Sequence, residues 1–211
     1  MTVLGANNGE RLPAIDSQPA FENALRRALE MDEPLQGVLC NNLTVTGENL
    51  CRLEALQICL ERCRFENCDF SKTSFYDARL VDCDFSNCAF SDSYWKRCQW
   101  IGCRLNGANF AGASLHDVQA RDTRLRYANF ARALMEDVKL TDQQALEIAS
   151  QLLKDEYGCT DEAIAAADIR MQLIRRGEER LFRMRIFIGQ TEWWDYFNID
   201  VDAEGKITGL F

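Results

Sequence analysis

The sequence predicts a mainly β fold: a four-sided parallel coil over residues 40–140, with a capping helix before it and an α+β unit after it. Three observations carry this. A five-residue period runs from Leu43 to Leu140 without a slip. All three prolines lie at or before position 34, as an unbroken ladder of paired strands requires. At Leu140 the period stops and gives way first to a helical and then to an alternating pattern.

A period of five suits neither a helix of 3.6 residues per turn nor a long strand of period two. It suits a coil in which each pentapeptide forms one side and turns a corner. Two positions in five point inward. The large series includes Phe65, Phe70, Phe75, Phe85, Phe90, Trp95, Trp100, Phe110 and Phe130. The small series, two residues earlier, includes Cys63, Cys83 and Cys103. Four sides close a square, so residue n lies beneath n+20. The columns then read Val45, Phe65, Phe85, Leu105, Leu125; Leu50, Phe70, Phe90, Phe110, Phe130; Ala55, Phe75, Trp95, Leu115, Met135; and Leu60, Leu80, Trp100, Ala120, Leu140. Large and small inward residues alternate, which fills a narrow interior without voids. Glu48 occupies a small inward position, so an irregular first coil is expected.

The closest motif matches are Ala108-Asn109-Phe110, Ala128-Asn129-Phe130, Cys68-Asp69-Phe70 and Cys83-Asp84-Phe85. This stretch resembles the pentapeptide-repeat family, whose motif is Ala–(Asp/Asn)–Leu–x–x. The resemblance implies a right-handed quadrilateral β-helix. Five coils at strand spacing would make a rod about 24 Å long.

Residues 1–18 are polar and expected to be flexible. A helix follows from about Pro19 to Met31, with Ser17 as N-cap and Pro19 in the first turn. Phe21, Ala24, Leu25, Ala28 and Leu29 form its apolar face. This helix and the linker to residue 39 would cover the open end of the coil.

After the coil, Thr141-Asp142-Gln143-Gln144 reads as a capping box. A helix to about Lys154 carries Ala145, Leu146, Ile148, Ala149, Leu152 and Leu153 on one face. Asp155 to Ala167, with Gly158, reads as a loop with room for a helical turn, and from Asp168 alternating runs separated by turn residues predict three or four antiparallel strands. Residues 141–211 thus form an α+β unit. Its opening helix (Thr141 to Ala149) and closing hairpin (Tyr196 to Ile207) resemble a PepSY-type domain, with one residue fewer in the final turn. That resemblance implies an envelope or secreted module of the kind associated with restraint of proteases. An unrelated capping or dimerisation unit is the other reading. Trp193 and Trp194 point to opposite faces of their strand, either as interface residues or buried against the helix or the coil's end.

The 211 residues carry a net charge of −9. The acidity lies outside the coil, which has thirteen acids and thirteen bases between residues 41 and 140. Direct nucleic-acid binding is disfavoured by this balance. No apolar run is long enough to span a membrane. Met1 to Leu12 lacks the basic-then-apolar layout of a signal peptide, so a cytoplasmic location is expected. Six of ten cysteines sit in the small inward series at a spacing of five, unlike a C-x-x-C zinc site. They read as buried apolar fillers, with metal or redox use as the alternative.

No catalytic set emerges. His116 is the only histidine and faces outward beside Asp117. No cofactor is expected. Arg104, Arg121, Arg124, Arg126 and Arg132 gather near the end of the coil, with Arg104 and Arg124 in one column and Arg126 on the same face, either as a solvated surface, as a dock for an acidic partner, or as a dock for the acidic C-terminal segment. The sequence therefore reads as a non-enzymatic scaffold for an unidentified protein partner, and a homo-oligomer is compatible with it. The alternatives are a DNA-mimicking regulator of a type II topoisomerase and a regulator of a partner enzyme acting through the C-terminal unit.

Overall fold

The computed structural model describes residues 12–136, 138–158, 160–165, 168–176, 179–187, 199–202 and 206–210. The pentapeptide period becomes a β-solenoid of about five turns. Between Leu35 and Lys139 the strands pair in parallel at a separation of twenty residues: Val45 with Phe65, Ala55 with Phe75, Leu60 with Leu80, and Trp95 with Leu115. Each of the four columns read from the sequence is one face. The first runs through Val45 and Phe65, the second through Leu50 and Phe70, the third through Ala55 and Phe75, and the fourth through Leu60 and Leu80. The first two faces are held partly by single bridges, such as Arg104 with Arg124 and Asn109 with Asn129. The third and fourth merge into strands that run round their shared corner, Tyr94–Ile101 and Ser114–Arg121.

The interior is the apolar ladder expected. Phe65 stacks on Phe85 with centroids 4.6 Å apart, and Phe90 on Phe110 at 4.9 Å. Phe110 stacks on Phe130 at 4.7 Å. These separations are the inter-strand spacing itself, so one coil rise sets both the backbone ladder and the ring stack. Trp95 and Trp100 are fully buried. Trp95 fits edge-on against Trp100, and Ala120 leaves room above Trp100. The Trp95 indole donates to Ser93 Oγ at 2.9 Å. Cysteines of the small series are also buried, and each thiol donates to a carbonyl of the coil below, as Cys83 does to Leu60 O at 3.4 Å. Thr73 and Thr123 do the same with hydroxyls.

Each corner is turned by one residue in the left-handed region. From Asn42 to Arg132 such residues recur at five-residue intervals, with φ between 50° and 69°. Most are Asn, Asp or Gly, the types that tolerate this region.

Helix α1 (Gln18–Met31) closes the first end, burying Phe21, Leu25 and Ala28. Phe21 meets Phe65 edge-on at 6.5 Å. Ser17 is the N-cap residue, without a side-chain capping bond. The Gln18 amide acts as a substitute peptide group: its Oε1 accepts from Thr44 N–H at 3.1 Å, and its Nε2 donates to Thr44 O.

Two expectations for this end change. Ala14–Ile15, within the segment expected to be flexible, form a strand parallel to Leu39–Cys40 and extend the fourth face. The first coil is in register from Leu35, which pairs with Ala55. Glu48 does not disrupt it, because the residue is exposed at a cleft beside α1.

Helix α2 (Asp142–Tyr157) starts at the last coil with the capping box in place. Gln144 N–H donates to Thr141 Oγ1 at 3.3 Å, and Thr141 N–H to Gln144 Oε1 at 2.8 Å. The Gln144 amide also donates to Thr123 O at 2.6 Å, capping a carbonyl of the last coil. A short helix α3 (Asp161–Ala165) is the helical turn allowed for within the expected loop. The strands Asp168–Arg176, Glu179–Phe187, Ile199–Asp202 and Lys206–Leu210 form an antiparallel meander. Its last strand pairs antiparallel with Val138–Lys139, so the C-terminal sheet continues the solenoid's fourth face. Trp193 and Trp194 lie outside the described residues. Among the described residues, no helix is long and apolar enough to cross a membrane.

Candidate interaction surface

Three outward positions per pentapeptide make the faces, and their side chains differ from face to face. Arg104 and Arg124 are directly in register on the first face, and Arg126 lies two residues further along it. Arg104 pairs with Asp84 at 3.5 Å. Burial would raise the Asp84 carboxyl, but the Ser86 hydroxyl and N–H, with Arg104, hold it below its ordinary value. Arg126 lies over the ring of Tyr127, 4.8 Å from the centroid, and Lys154 of α2 approaches the same ring at 5.8 Å. This end of the first face opens into a cleft of about 270 Å³ lined by Arg126, Tyr127, Gln151, Lys154 and Asp161.

Arg121 and Arg132 are elsewhere. Arg121 ends a fourth-face strand and hydrogen-bonds Gln119 at 3.2 Å, while Arg132 turns a corner between the second and third faces. The five arginines therefore divide into a group of three and two separate residues.

The third face carries a group that reading by inward positions misses. Tyr76 and Tyr94 have ring centroids 5.3 Å apart, and Tyr94 and His116 5.4 Å. His116 Nδ1 is 2.9 Å from Glu136 Oε2. The signal was present in the outward positions, where 76, 94 and 116 become diagonal neighbours once coils are stacked at twenty residues. At the next corner, Arg97 makes a two-bond pair with Asp77, at 2.6 and 2.8 Å.

All nine cysteines among the described residues are free thiols. Burial pushes Cys40 and Cys98 up to about 12 and Cys59 up to about 11. In the Cys63–Cys83–Cys103 column, hydrogen bonds to Cys103 and Cys63, with burial, push the Cys83 thiol far up. Cys40, Cys59, Cys83 and Cys98 therefore stay protonated at neutral pH, whereas the hydrogen bond from Cys83 lowers Cys63 and Cys103, and one from Cys88 lowers Cys68 to about 7. Among the described residues, no group of three or more His, Cys, Asp or Glu is placed to hold a metal ion.

The family model for pentapeptide repeats matches eight copies, over residues 58–94 and 103–142, within the solenoid whose register is described above. Over these residues the solenoid matches the pentapeptide-repeat family. Among solved structures, the pentapeptide-repeat protein Rfr23 from the cyanobacterium Cyanothece 51142 superposes with a TM-score of 0.53 at 18% identity, covering 59% of this chain and 97% of that one. QnrB1, a plasmid-mediated fluoroquinolone resistance protein, matches at 24% identity and a TM-score of 0.43, over 49% of this chain and 55% of its own. A pentapeptide-repeat protein from the Arabidopsis thaliana thylakoid lumen matches at 20% identity and a TM-score of 0.34, over 48% of this chain and 64% of its own. No curated protein matches the sequence. At these identities the likeness is one of fold. The solenoid supplies flat, rigid faces, and the side chains on them are this chain's own.

Proposed function

We propose that the protein is a non-enzymatic interaction scaffold that holds an acidic protein partner on the C-terminal half of its first face. The observation that carries this is the register of Arg104 with Arg124, with Arg126 beside them on the same flat surface. Only Arg104 of the three has a carboxylate partner among the described residues. Arginines held one strand spacing apart on a rigid ladder present their donors without further ordering, which lowers the entropic cost of binding. The same arginines oppose a rod that imitates duplex DNA, whose charge is uniformly negative. Regulation of a partner enzyme is compatible with this reading if the enzyme's acidic surface is what docks.

The test is quantitative co-purification from source-cell lysate with two full-length baits, wild type and R104E/R124E/R126E. The proposal expects a partner that is held by wild type, released as salt rises, and lost from the triple variant. A partner held equally by both baits would place the binding surface elsewhere.

A further inference from the structure

In the coils after the first, backbone groups of outward residues bond to the coil below. Asp84 N–H donates to Cys63 O at 2.9 Å, and Gly47 N–H donates up to Glu66 O at 2.8 Å. The first coil has no coil below it, and the chain covers its edges unevenly. The fourth face gains Ala14–Ile15 as an added strand. On the first face, the Gln18 amide takes both backbone groups of Thr44. Thr46 and Asn49, the counterparts of Glu66 and Asp69, have their N–H and C=O directed at the same absent coil, with no backbone partner on that side among the described residues.

This uncovered edge borders a cleft of about 660 Å³ between α1 and the strand Thr44–Thr46. The volume is within the range of ligand-holding clefts, about 300–1,000 Å³. Leu25, Val45 and Leu50 form an apolar floor, and Leu29 is 38% exposed at its side. The charged residues lining it are Glu22, Glu30 and Glu48, against the single cation Arg26, whose guanidinium is already bonded to Asn23 Oδ1.

We infer that this edge is a second binding site, separate from the first-face arginines, and that it takes an extended basic peptide segment as an added strand. The backbone of the segment bonds to Thr46 and Asn49. Its apolar side chains meet Leu29 and the floor, and its basic side chains meet the carboxylates of Glu30 and Glu48. Strand addition gives affinity through the main chain and specificity through alternate side chains. The fold uses strand addition twice already, with Ala14–Ile15 at this end and Lys206–Leu210 at the other.

The experiment is fluorescence anisotropy of full-length protein with a labelled hexapeptide of alternating lysine and valine. The expected result is saturable binding, weakened about tenfold or more by N-methylating alternate amides along one edge of the peptide. Exchanging lysine for glutamate in the peptide, or introducing E30K/E48K in the protein, weakens it by about the same factor or more. The R124E/R126E variant binds as wild type does. Absence of saturable binding overturns the inference. So does indifference to N-methylation, which would leave only charge attraction, or indifference to E30K/E48K.

Discussion

At the scale of the residue, the corners are where the sequence is most constrained. Gly102 has φ +65°, and a Cβ built there would lie 2.3 Å from Asp82 Oδ1 of the coil below. Gly37 has φ +64° with nothing near its Cβ position. Both Gly→Ala changes meet the left-handed penalty of about 1–2 kcal/mol, but only G102A also meets a carboxylate. Urea denaturation is expected to show G102A as the more destabilising, with D82A restoring part of the loss when combined with it. Equal costs for G37A and G102A would mean that the corner column is not as close as described. The corner rule was visible in the sequence as recurring Asn, Asp and Gly at positions such as 42, 67, 82, 87, 102 and 107. It is easily overlooked, because Arg97, Tyr127 and Arg132 occupy the same position and break the composition without breaking the geometry.

At the scale of the element, each end of the solenoid is closed by a glutamine that substitutes for a peptide group. Gln144 is buried, and its amide serves both Thr141 N–H and Thr123 O. Gln18 serves both groups of Thr44 at an exposed site. Leucine at either position leaves those backbone groups unpaired, at a cost of about 1–3 kcal/mol for each group kept from water. Q144L is therefore expected to lower the denaturation midpoint clearly, and Q18L much less, since water replaces the lost partner. The Thr141–Gln144 box was legible because both halves of it lie within four residues. The bond from Gln144 to Thr123 spans twenty-one residues and needs the coil to be closed before it exists. The same holds for Ala14–Ile15: two residues of a polar segment carry no strand pattern, and only the open fourth-face edge makes them a strand.

At the scale of the whole molecule, three buried thiols with raised values give stability a dependence on alkaline pH. Cys40, Cys59 and Cys98 hold their protons to about 11–12 in the folded chain. An unfolded cysteine releases its proton near 8.5. Their contribution is fully present below about pH 8.5 and is lost as pH rises from there toward 11–12. The urea midpoint is expected to fall over this range, and to fall less in C98A than in wild type. A C98A profile parallel to wild type throughout would show that Cys98 does not stay protonated on folding.

The architecture was readable from fifteen or so apolar residues because their period admits one geometry. The face-by-face chemistry was less so. Arg104, Arg124 and Arg126 were grouped from their numbers alone, since a separation of twenty defines a column. Arg121 and Arg132 looked close in sequence, yet a corner separates each from that group. Tyr76, Tyr94 and His116 come together only through the diagonal of stacked coils, which a reading of inward positions does not follow.

The central claim is that twenty residues make one closed turn and that five make one side. Deleting residues 86–105 removes one whole turn, returns every later residue to its own face and leaves both glutamine-capped ends intact. Deleting residues 86–103 removes two residues fewer and throws the inward series out of register. Circular dichroism with urea denaturation of the two shortened chains decides the matter. The account expects a cooperative, β-rich unfolding transition for the twenty-residue deletion and its loss for the eighteen-residue one. Equal stability of the two, or failure of the twenty-residue deletion alone, would contradict it.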